Sequence, residues 1–189
     1  GVLVRALSEL LPAFAARSFD DPVTGLASLT SSLAAGAVIS GYIPVNNEID
    51  VLPLMTDLLG RGYRIAVPHN MERQHLLDFL EWKPDTPLYK GLYGIPQPDP
   101  NKAAALVPDL LIVPLVAFDE ACNRMGYGSG YFDRTFAHMR RFQHFRAIGV
   151  AYEMQKEDRV PTDQYDHRLD AIVTDAAVYR ADNNGKTAG

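Results

Sequence analysis

The sequence predicts an α/β domain built around a mostly parallel β-sheet. Short apolar segments rich in β-branched residues recur along the chain and indicate strands, and helical patterns or glycine- and proline-rich breaks separate them. Strands that alternate with helices indicate a layered α/β architecture. In such sheets ligands bind beyond the carboxyl ends of the strands, so function is expected in the loops at those ends.

The first half of the chain predicts a strand, a helix, a second strand and an edge strand, in that order. Residues 37–43, AVISGYI, are short and apolar and indicate a buried strand. Residues 50–60 indicate a helix that closes on glycine, with Asp50 placed to cap it. The next strand is predicted at residues 63–68, and an edge strand at residues 76–82.

The second half predicts the centre of the sheet. Residues 83–108 contain six prolines and predict a long irregular crossing. The most apolar run, DLLIVPLVAF at residues 109–118, predicts a central parallel strand. A glycine-rich stretch and a helix to about residue 142 follow, and then strands at residues 145–152 and 170–175.

We predict one domain over residues 1–189, with an N-terminal helical segment at residues 1–35 and an α/β core at residues 36–180. The start of the chain lacks the order of basic region, apolar run and cleavage site that marks a signal peptide. Apolar residues recur there at helical spacing, at Leu3, Leu7, Leu10, Leu11 and Phe14.

The composition excludes several function classes. The 189 residues are 47% hydrophobic, which is enough for one core. The net charge of -5 argues against general nucleic-acid binding, because phosphate contacts need a basic face. No apolar run approaches the roughly 18 residues that a membrane span needs. The one cysteine, Cys122, suits a reducing compartment, so we expect a cytoplasmic protein without a nucleic-acid or membrane partner.

The stretch NRMGYGSGYFDR, residues 123–134, is the strongest functional signal. Its glycines stand at positions 126, 128 and 130, where missing side chains let backbone N–H groups crowd around one point. Such amides form an anion nest, and a following helix adds the positive end of its dipole. On spacing alone a flexible loop tip is an equal alternative. The P-loop pattern is absent, and the geometry of a dinucleotide fingerprint is missing.

The residues that flank the glycines favour a site for a phosphate and a flat ring. Arg124 offers a planar fork for phosphate oxygens, and Asp133 offers a carboxylate for Mg²⁺. Tyr127, Tyr131 and Phe132 offer ring faces for a heterocycle. Each has a plainer interpretation, namely a surface ion pair, a helix start or core packing. Together within ten residues they predict the ligand site.

At this point the sequence resembles the family of 5-formyltetrahydrofolate cyclo-ligases, also called methenyltetrahydrofolate synthetases. The segment FDEACNRMGYGSGYFDR is similar to the family signature. The segments GYIPVNNEID, GLYGIPQP, PDLLIVPLVAFD and IGVAYEMQ, and the later VPTDQYDHRLDAIVTD, agree with the family in the same order. The resemblance covers roughly residues 36 to 175.

The resemblance implies a three-layer α/β/α fold of the kind shared with sugar-phosphate isomerases and CoA transferases. It also implies a one-carbon reaction in which ATP and Mg²⁺ drive conversion of 5-formyltetrahydrofolate, with or without a polyglutamate tail, to 5,10-methenyltetrahydrofolate, with ADP and phosphate as products. ATP phosphorylates the formyl oxygen, N10 attacks the activated carbon, and phosphate leaves. The sequence does not give the oligomeric state, and of the possible states we favour a monomer.

The resemblance also assigns roles to particular residues. Arg124 and Glu48 would be catalytic, and Asp133 and Asp166 would hold Mg²⁺. Glu48 would orient the folate by accepting a hydrogen bond, and whether it also takes a proton is open. ATP would lie against Arg124, Met125, Gly126, Tyr127, Gly128, Ser129, Gly130, Tyr131 and Phe132. The folate would contact Ile43, Glu48, Tyr127, Gly128, Ser129, Gly130 and Tyr131.

Two other functions stay open on the sequence. The first is a family-like protein that binds folate or nucleotide without turnover. It is favoured by Val51, where the family often has threonine, and by the lack of a clear N-terminal basic segment, for which Arg5 is the candidate. The second is a sugar-phosphate or acyl-CoA enzyme on the same fold, which would need no ATP. Trp82 and Tyr93 are each expected either to line the pterin slot or to pack in the core.

Overall fold

The secondary structure follows the predicted alternation of strands and helices. A computed structural model describes residues 33–70 and 75–181, so most of the predicted N-terminal helical segment, with Arg5, lies outside the described residues. Two α-helices are described, α1 at Leu52–Gly60 and α2 at Tyr131–Met139. The described strands are β1 Val38–Ser40, β2 Arg64–Asn70, β3 Leu77–Glu81, β4 Leu88–Lys90, β5 Pro96–Pro98, β6 Leu110–Pro114, β7 Ala117–Phe118, β8 Arg124–Met125, β9 Arg146–Val150, β10 Ala171–Val173 and β11 Val178–Arg180.

Seven of these strands form one mixed sheet in the order β11-β10-β9-β6-β1-β2-β3. The five inner strands run parallel, and β3 and β11 pair antiparallel at the two edges. At the centre, Ile39 of β1 lies between Ile65 of β2 and Leu110 of β6. The prediction of a mostly parallel sheet with an edge strand near residue 80 is therefore confirmed.

The helices cover opposite faces of the sheet. One core packs Met55 and Leu58 of α1 against inner-strand residues such as Ile65. The other packs Phe136 and Met139 of α2 against residues that alternate with the first set along the strands. Because both faces are buried, the central strand β6 is apolar at successive positions instead of alternating. The α1, sheet and α2 layers give the three-layer α/β/α arrangement.

Helix α1 begins close to the predicted position. Pro53 stands in its first turn, where a missing N–H does no harm. The Asp50 carboxylate accepts a hydrogen bond from the Leu52 N–H at 3.0 Å. Asp50 stands one residue before the N-cap, Val51, whose side chain makes no capping hydrogen bond. Neither described helix is long and apolar enough to cross a membrane.

Three parts of the prediction are wrong. The proline-rich crossing contains the two-stranded β4–β5 hairpin, which tolerates proline because both of its strands are edges. The predicted strand 109–118 leaves the main sheet after Pro114, and its end becomes β7, which pairs with β8 in a separate ribbon. Edge strand β11 has no counterpart in the prediction, because the short antiparallel return after residue 175 has little periodicity to detect.

Candidate active site

A cavity of about 290 Å³ opens at the carboxyl ends of β1, β6 and β9. This is the edge of the sheet where an α/β fold is expected to bind ligands. A larger surface hollow of about 690 Å³ lies between β3 and the β4–β5 hairpin, and none of the predicted site residues lines it. The smaller cavity is lined by Tyr42, Asn46, Asn47, Glu48, Ile49, Pro114, Leu115, Val116, Tyr127, Val150, Tyr152 and Gln155.

Glu48 joins this cavity to the glycine stretch. Its Oε2 accepts a hydrogen bond from the Val45 N–H at 2.8 Å, and its carboxylate also accepts one from the Tyr127 hydroxyl. Burial raises the pKa of Glu48, and the two hydrogen bonds oppose that rise. Burial and the charge of Glu48 raise the pKa of Tyr127 as well, so the phenol keeps its proton and donates a hydrogen bond to the Glu48 carboxylate. The structure thus brings together two residues that the sequence assigns to one site.

Two tyrosines that the sequence prediction missed complete the walls of the cavity. The Tyr42 hydroxyl donates to the Ile49 carbonyl at 2.8 Å, and burial raises the pKa of Tyr42. Tyr152 follows β9, where the Gln155 side chain accepts from the Tyr152 N–H and donates to the Leu115 and Val116 carbonyls. Ile43, predicted to touch the folate, is partly buried against the α1-face core and does not line the cavity.

The glycine stretch forms an open loop between β8 and α2. Gly128 has φ +87° and Gly130 has φ +62°, conformations that favour glycine. In the described part of the chain, none of the backbone N–H groups of residues 126–130 donates a hydrogen bond to another protein group. These free donors stand at the start of α2, where the helix dipole adds positive charge. The loop therefore has the features expected of an anion nest.

Arg124 lies behind this loop in the protein interior. Its guanidinium is 5% exposed, with Nη2 at 2.8 Å from Asp133 Oδ2, and it sits over the rings of Phe132 and Phe136. Nη2 and Nε lack a hydrogen bond of good geometry to any described group. A side chain on Gly126 would come within 3.0 Å of Arg124 Nη1. Arg124 and Phe132 thus support the loop from beneath in this structure.

The two predicted metal ligands lie on neighbouring segments. Asp133 Oδ1 accepts from the His167 N–H at 3.0 Å, and Asp166 Oδ2 accepts from the Asp163 N–H at 2.8 Å. Among the described residues there is no group of three or more His, Cys, Asp or Glu side chains able to hold a metal ion. Two carboxylates fit Mg²⁺, which usually keeps waters and takes its remaining oxygens from substrate phosphates. The donor set therefore suits Mg²⁺ together with a bound nucleotide.

Two other polar side chains near the loop have protein partners. Arg134 donates to the Ser129 carbonyl at 2.7 Å and the His75 carbonyl at 2.9 Å, and its guanidinium lies over the ring of Tyr131. His167 Nδ1 lies 2.9 Å from Arg140 Nη1, and burial followed by the charge of Arg140 lowers the pKa of His167. Arg134 therefore braces the loop, and His167 is tied to a cation.

Comparisons with known proteins agree with this geometry. The model of the 5-formyltetrahydrofolate cyclo-ligase family matches residues 15–175. The chain belongs to the 5-formyltetrahydrofolate cyclo-ligase family. A 5-formyltetrahydrofolate cyclo-ligase of Haemophilus influenzae is 34% identical over 133 residues, which cover 68% of this chain and 70% of the relative. One of Escherichia coli is 32% identical over 148 residues, which cover 75% and 79%.

A solved structure supports the same assignment. The NMR structure of a 5,10-methenyltetrahydrofolate synthetase from Aquifex aeolicus is 29% identical, with a TM-score of 0.62, and covers 86% of this chain and 81% of that chain. The chain is therefore an enzyme of a ligase family in folate metabolism. Of the residues that line the cavity of this cyclo-ligase family member, the sequence prediction named Glu48 and Tyr127 and did not name Tyr42, Tyr152 or Gln155. Their signal is only that Tyr42 and Tyr152 stand near the carboxyl ends of two predicted strands and that Gln155 follows the second of these strands.

Proposed function

We propose that the protein is an ATP- and Mg²⁺-dependent 5-formyltetrahydrofolate cyclo-ligase that forms 5,10-methenyltetrahydrofolate, ADP and phosphate. The observation that carries the proposal is the hydrogen bond between Glu48 and Tyr127. It joins a cavity large enough for part of a flat ligand to a loop with free backbone donors. One site is thus suited to an aromatic heterocycle and a phosphate side by side.

The reaction needs the two substrates to be aligned. The formyl oxygen is a poor leaving group until it takes the terminal phosphoryl group of ATP, which breaks the bond between that group and ADP. N10 then attacks the formyl carbon, and the oxygen departs as inorganic phosphate. The protein's part is mainly to hold acceptor and donor in line and to stabilise negative charge.

The residues on the phosphate side divide this work. Backbone N–H groups of residues 126–130 bind phosphate oxygens, helped by the start of α2. Asp133 and Asp166 would hold Mg²⁺, which supplies positive charge at the transferred phosphoryl group. Arg124, paired with Asp133, fixes that carboxylate and adds its own charge behind the loop. Met125 and Tyr127 are exposed on the outer side of the same loop and face the nucleotide.

The residues on the folate side orient the acceptor. Glu48, on the segment after β1, accepts a hydrogen bond from the folate ring. Burial raises the pKa of Glu48, so this carboxyl takes up a proton more readily than an ordinary glutamate does. Tyr42, Tyr127 and Tyr152 supply the aromatic walls of the cavity. The buried free thiol of Cys122 is compatible with a reducing compartment, so we place the reaction in the cytoplasm.

A turnover assay tests the proposal. Protein, ATP, Mg²⁺ and 5-formyltetrahydrofolate are mixed, and the methenyl product is followed by its absorbance, with each component omitted in turn. Product is expected only when all are present. Tight binding of 5-formyltetrahydrofolate with no product would overturn the proposal in favour of a binding protein.

Asp133→Ala is expected to lower turnover by roughly 10²-fold or more, comparable to the loss of one electrostatic stabiliser of a transition state. Asp85→Ala, an exposed carboxylate on the far hollow, is the matched control and should leave the rate unchanged. An unchanged rate in Asp133→Ala would remove this residue from the metal site.

A further inference from the structure

The segment between β1 and α1 contains a tight turn that carries Glu48. The Glu48 N–H donates to the Val45 carbonyl at 2.9 Å, which closes a four-residue turn over residues 45–48. The two central residues both have positive φ, 49° at Asn46 and 66° at Asn47. A four-residue turn with positive φ at both central positions is a type I′ turn.

The amino acids at the two central positions explain why this turn forms. Most residues resist positive φ because their Cβ comes too close to a backbone carbonyl, whereas glycine and asparagine adopt it more readily. Type I′ turns usually close β-hairpins, but the residues on either side of this turn belong to no strand. Strand pairing therefore does not impose the conformation, and the Asn-Asn sequence itself selects it.

The turn also holds the Glu48 side chain. The Val45 N–H donates to Glu48 Oε2 at 2.8 Å, so a backbone hydrogen bond and a side-chain hydrogen bond join the same two residues. The Tyr127 hydroxyl donates to the same carboxylate from the glycine stretch. Glu48 thus has one donor from its own turn and a second from the nucleotide side of the site, and together they fix the direction of the carboxylate before a ligand binds.

The chain on both sides of the turn is anchored, while the turn itself is exposed. The Tyr42 hydroxyl donates to the Ile49 carbonyl at 2.8 Å, and both residues are buried in the α1-face core. Asn46 and Asn47 are exposed and line the cavity. Exposed side chains add no core packing, so the two asparagines contribute to this site either through their backbone conformation or through direct contact with the ligand.

We propose that Asn46 and Asn47 are positioning residues of the folate site, which set the turn at residues 45–48 and so keep the Val45 N–H on Glu48 Oε2, with the carboxylate directed at the folate ring. They act through Glu48, and neither side chain needs to touch the substrate. This inference rests on the proposed function, because the ligand that Glu48 orients is the folate of that reaction.

Replacement of both asparagines by alanine or by glycine separates the two contributions. Both double variants remove the side-chain amides, but of the two replacements only glycine adopts positive φ without strain. One alanine at positive φ disfavours the turn by roughly 5- to 30-fold, and a turn that is only partly populated raises the apparent Kd in proportion.

Calorimetric titration of 5-formyltetrahydrofolate without ATP measures this effect. The Kd should rise about tenfold in Asn46→Ala, Asn47→Ala and should stay within about threefold of the wild-type value in Asn46→Gly, Asn47→Gly. Asn101→Ala removes an exposed asparagine amide at the far hollow. It is the matched control and should leave the Kd unchanged.

The pKa of Glu48 in the ligand-free protein gives a second readout. Burial raises this pKa, and the hydrogen bond from the Val45 N–H to the charged carboxylate lowers it. Loss of that bond in the alanine variant should therefore raise the pKa of Glu48 further, while the glycine variant keeps the wild-type pKa. Carbon-13 NMR titration of the Glu48 carboxyl carbon, assigned with Glu48→Gln, measures the change. The other titratable groups around Glu48 are the same in every variant, namely Tyr42, Asp50, Tyr127 and Tyr152.

The two readouts also distinguish this inference from the proposed function. A pKa of Glu48 that rises in the alanine variant and not in the glycine variant supports the inference, whether or not the wild-type protein makes product. An unchanged Kd and an unchanged pKa of Glu48 in the alanine variant would overturn it. An equal rise in Kd in both double variants, with the pKa of Glu48 unchanged, would show that the asparagine side chains contact the folate directly, and would overturn it as well.

Discussion

Removal of one charge from the Arg124–Asp133 ion pair is expected to destabilise the fold strongly. Asp133→Asn leaves the guanidinium buried, at 5% exposure, without a counter-ion. Asparagine still offers Oδ1 to the His167 N–H, so the main loss is the charge. Breaking a buried pair from one side costs about 3–5 kcal/mol, and because the Asp133 side chain is 18% exposed we expect about 3 kcal/mol.

The effect is measured by thermal and urea unfolding in the absence of nucleotide and metal. For a chain of this length, a loss of about 3 kcal/mol lowers the Tm by roughly 6–12 °C. The double variant Arg124→Met, Asp133→Asn removes both charges and should regain most of that loss, because no unpaired charge stays buried. Asp57→Asn, which breaks the exposed Arg61–Asp57 pair, is the control and should change stability by less than about 1 kcal/mol.

The double variant decides whether the reasoning is right. A coupling free energy of about 3 kcal/mol between the two substitutions is expected. If the losses in the free energy of unfolding of the two single variants simply add in the double variant, Arg124 is not held by Asp133. That result would instead favour Arg124 as a phosphate ligand that is unpaired in the absence of nucleotide.

Three further predictions concern the loop, the cavity and pH. Gly128→Ala forces alanine to adopt φ +87°, a strain of about 1–2 kcal/mol, so steady-state kinetics should show a KM for ATP raised about tenfold and little change for the folate. Glu48→Gln should weaken folate binding and remove its pH dependence. In the wild type, folate binding should weaken as the pH is lowered and Glu48 becomes protonated. Because the pKa of Glu48 is raised, this weakening should begin at a higher pH than for an ordinary glutamate, which titration calorimetry at several pH values would detect. His69 has a lowered pKa in the folded state, so the unfolded chain binds more protons at this residue as the pH falls. The contribution of His69 to the free energy of unfolding should therefore be complete above about pH 6.5 and should be lost as the pH falls through the folded pKa, which urea unfolding at several pH values would measure. A flat stability profile below that pH would contradict a buried neutral His69, and His69→Gln should flatten it.

The fold was predictable where burial on both faces leaves a continuous apolar run. β6 with LLIVP and β9 with RAIGV have this pattern, and both lie in the centre of the sheet. The β4–β5 hairpin was not predictable, because proline is normally a strand breaker and the hairpin depends on distant side chains such as His69. Short antiparallel strands at an edge carry too few residues to show a period.

The geometry of the candidate site was predictable only in part. Glycines 126, 128 and 130 indicated an open loop of amides, and Glu48 and Tyr127 do meet. The sequence does not reveal that Arg124 points inward, because its partners Asp133 and Phe136 become neighbours only when α2 packs behind β8. The roles of Asp133 and Asp166 as metal ligands stay predictions.

The most direct measurement of the central claim is a crystal structure with a non-hydrolysable ATP analogue and Mg²⁺. The terminal phosphates are expected within hydrogen-bonding distance of the N–H groups of residues 126–130, with the metal on Asp133 and the adenosine away from the Glu48 cavity. Nucleotide bound elsewhere on the protein, with this loop empty and no metal on Asp133, would contradict the account.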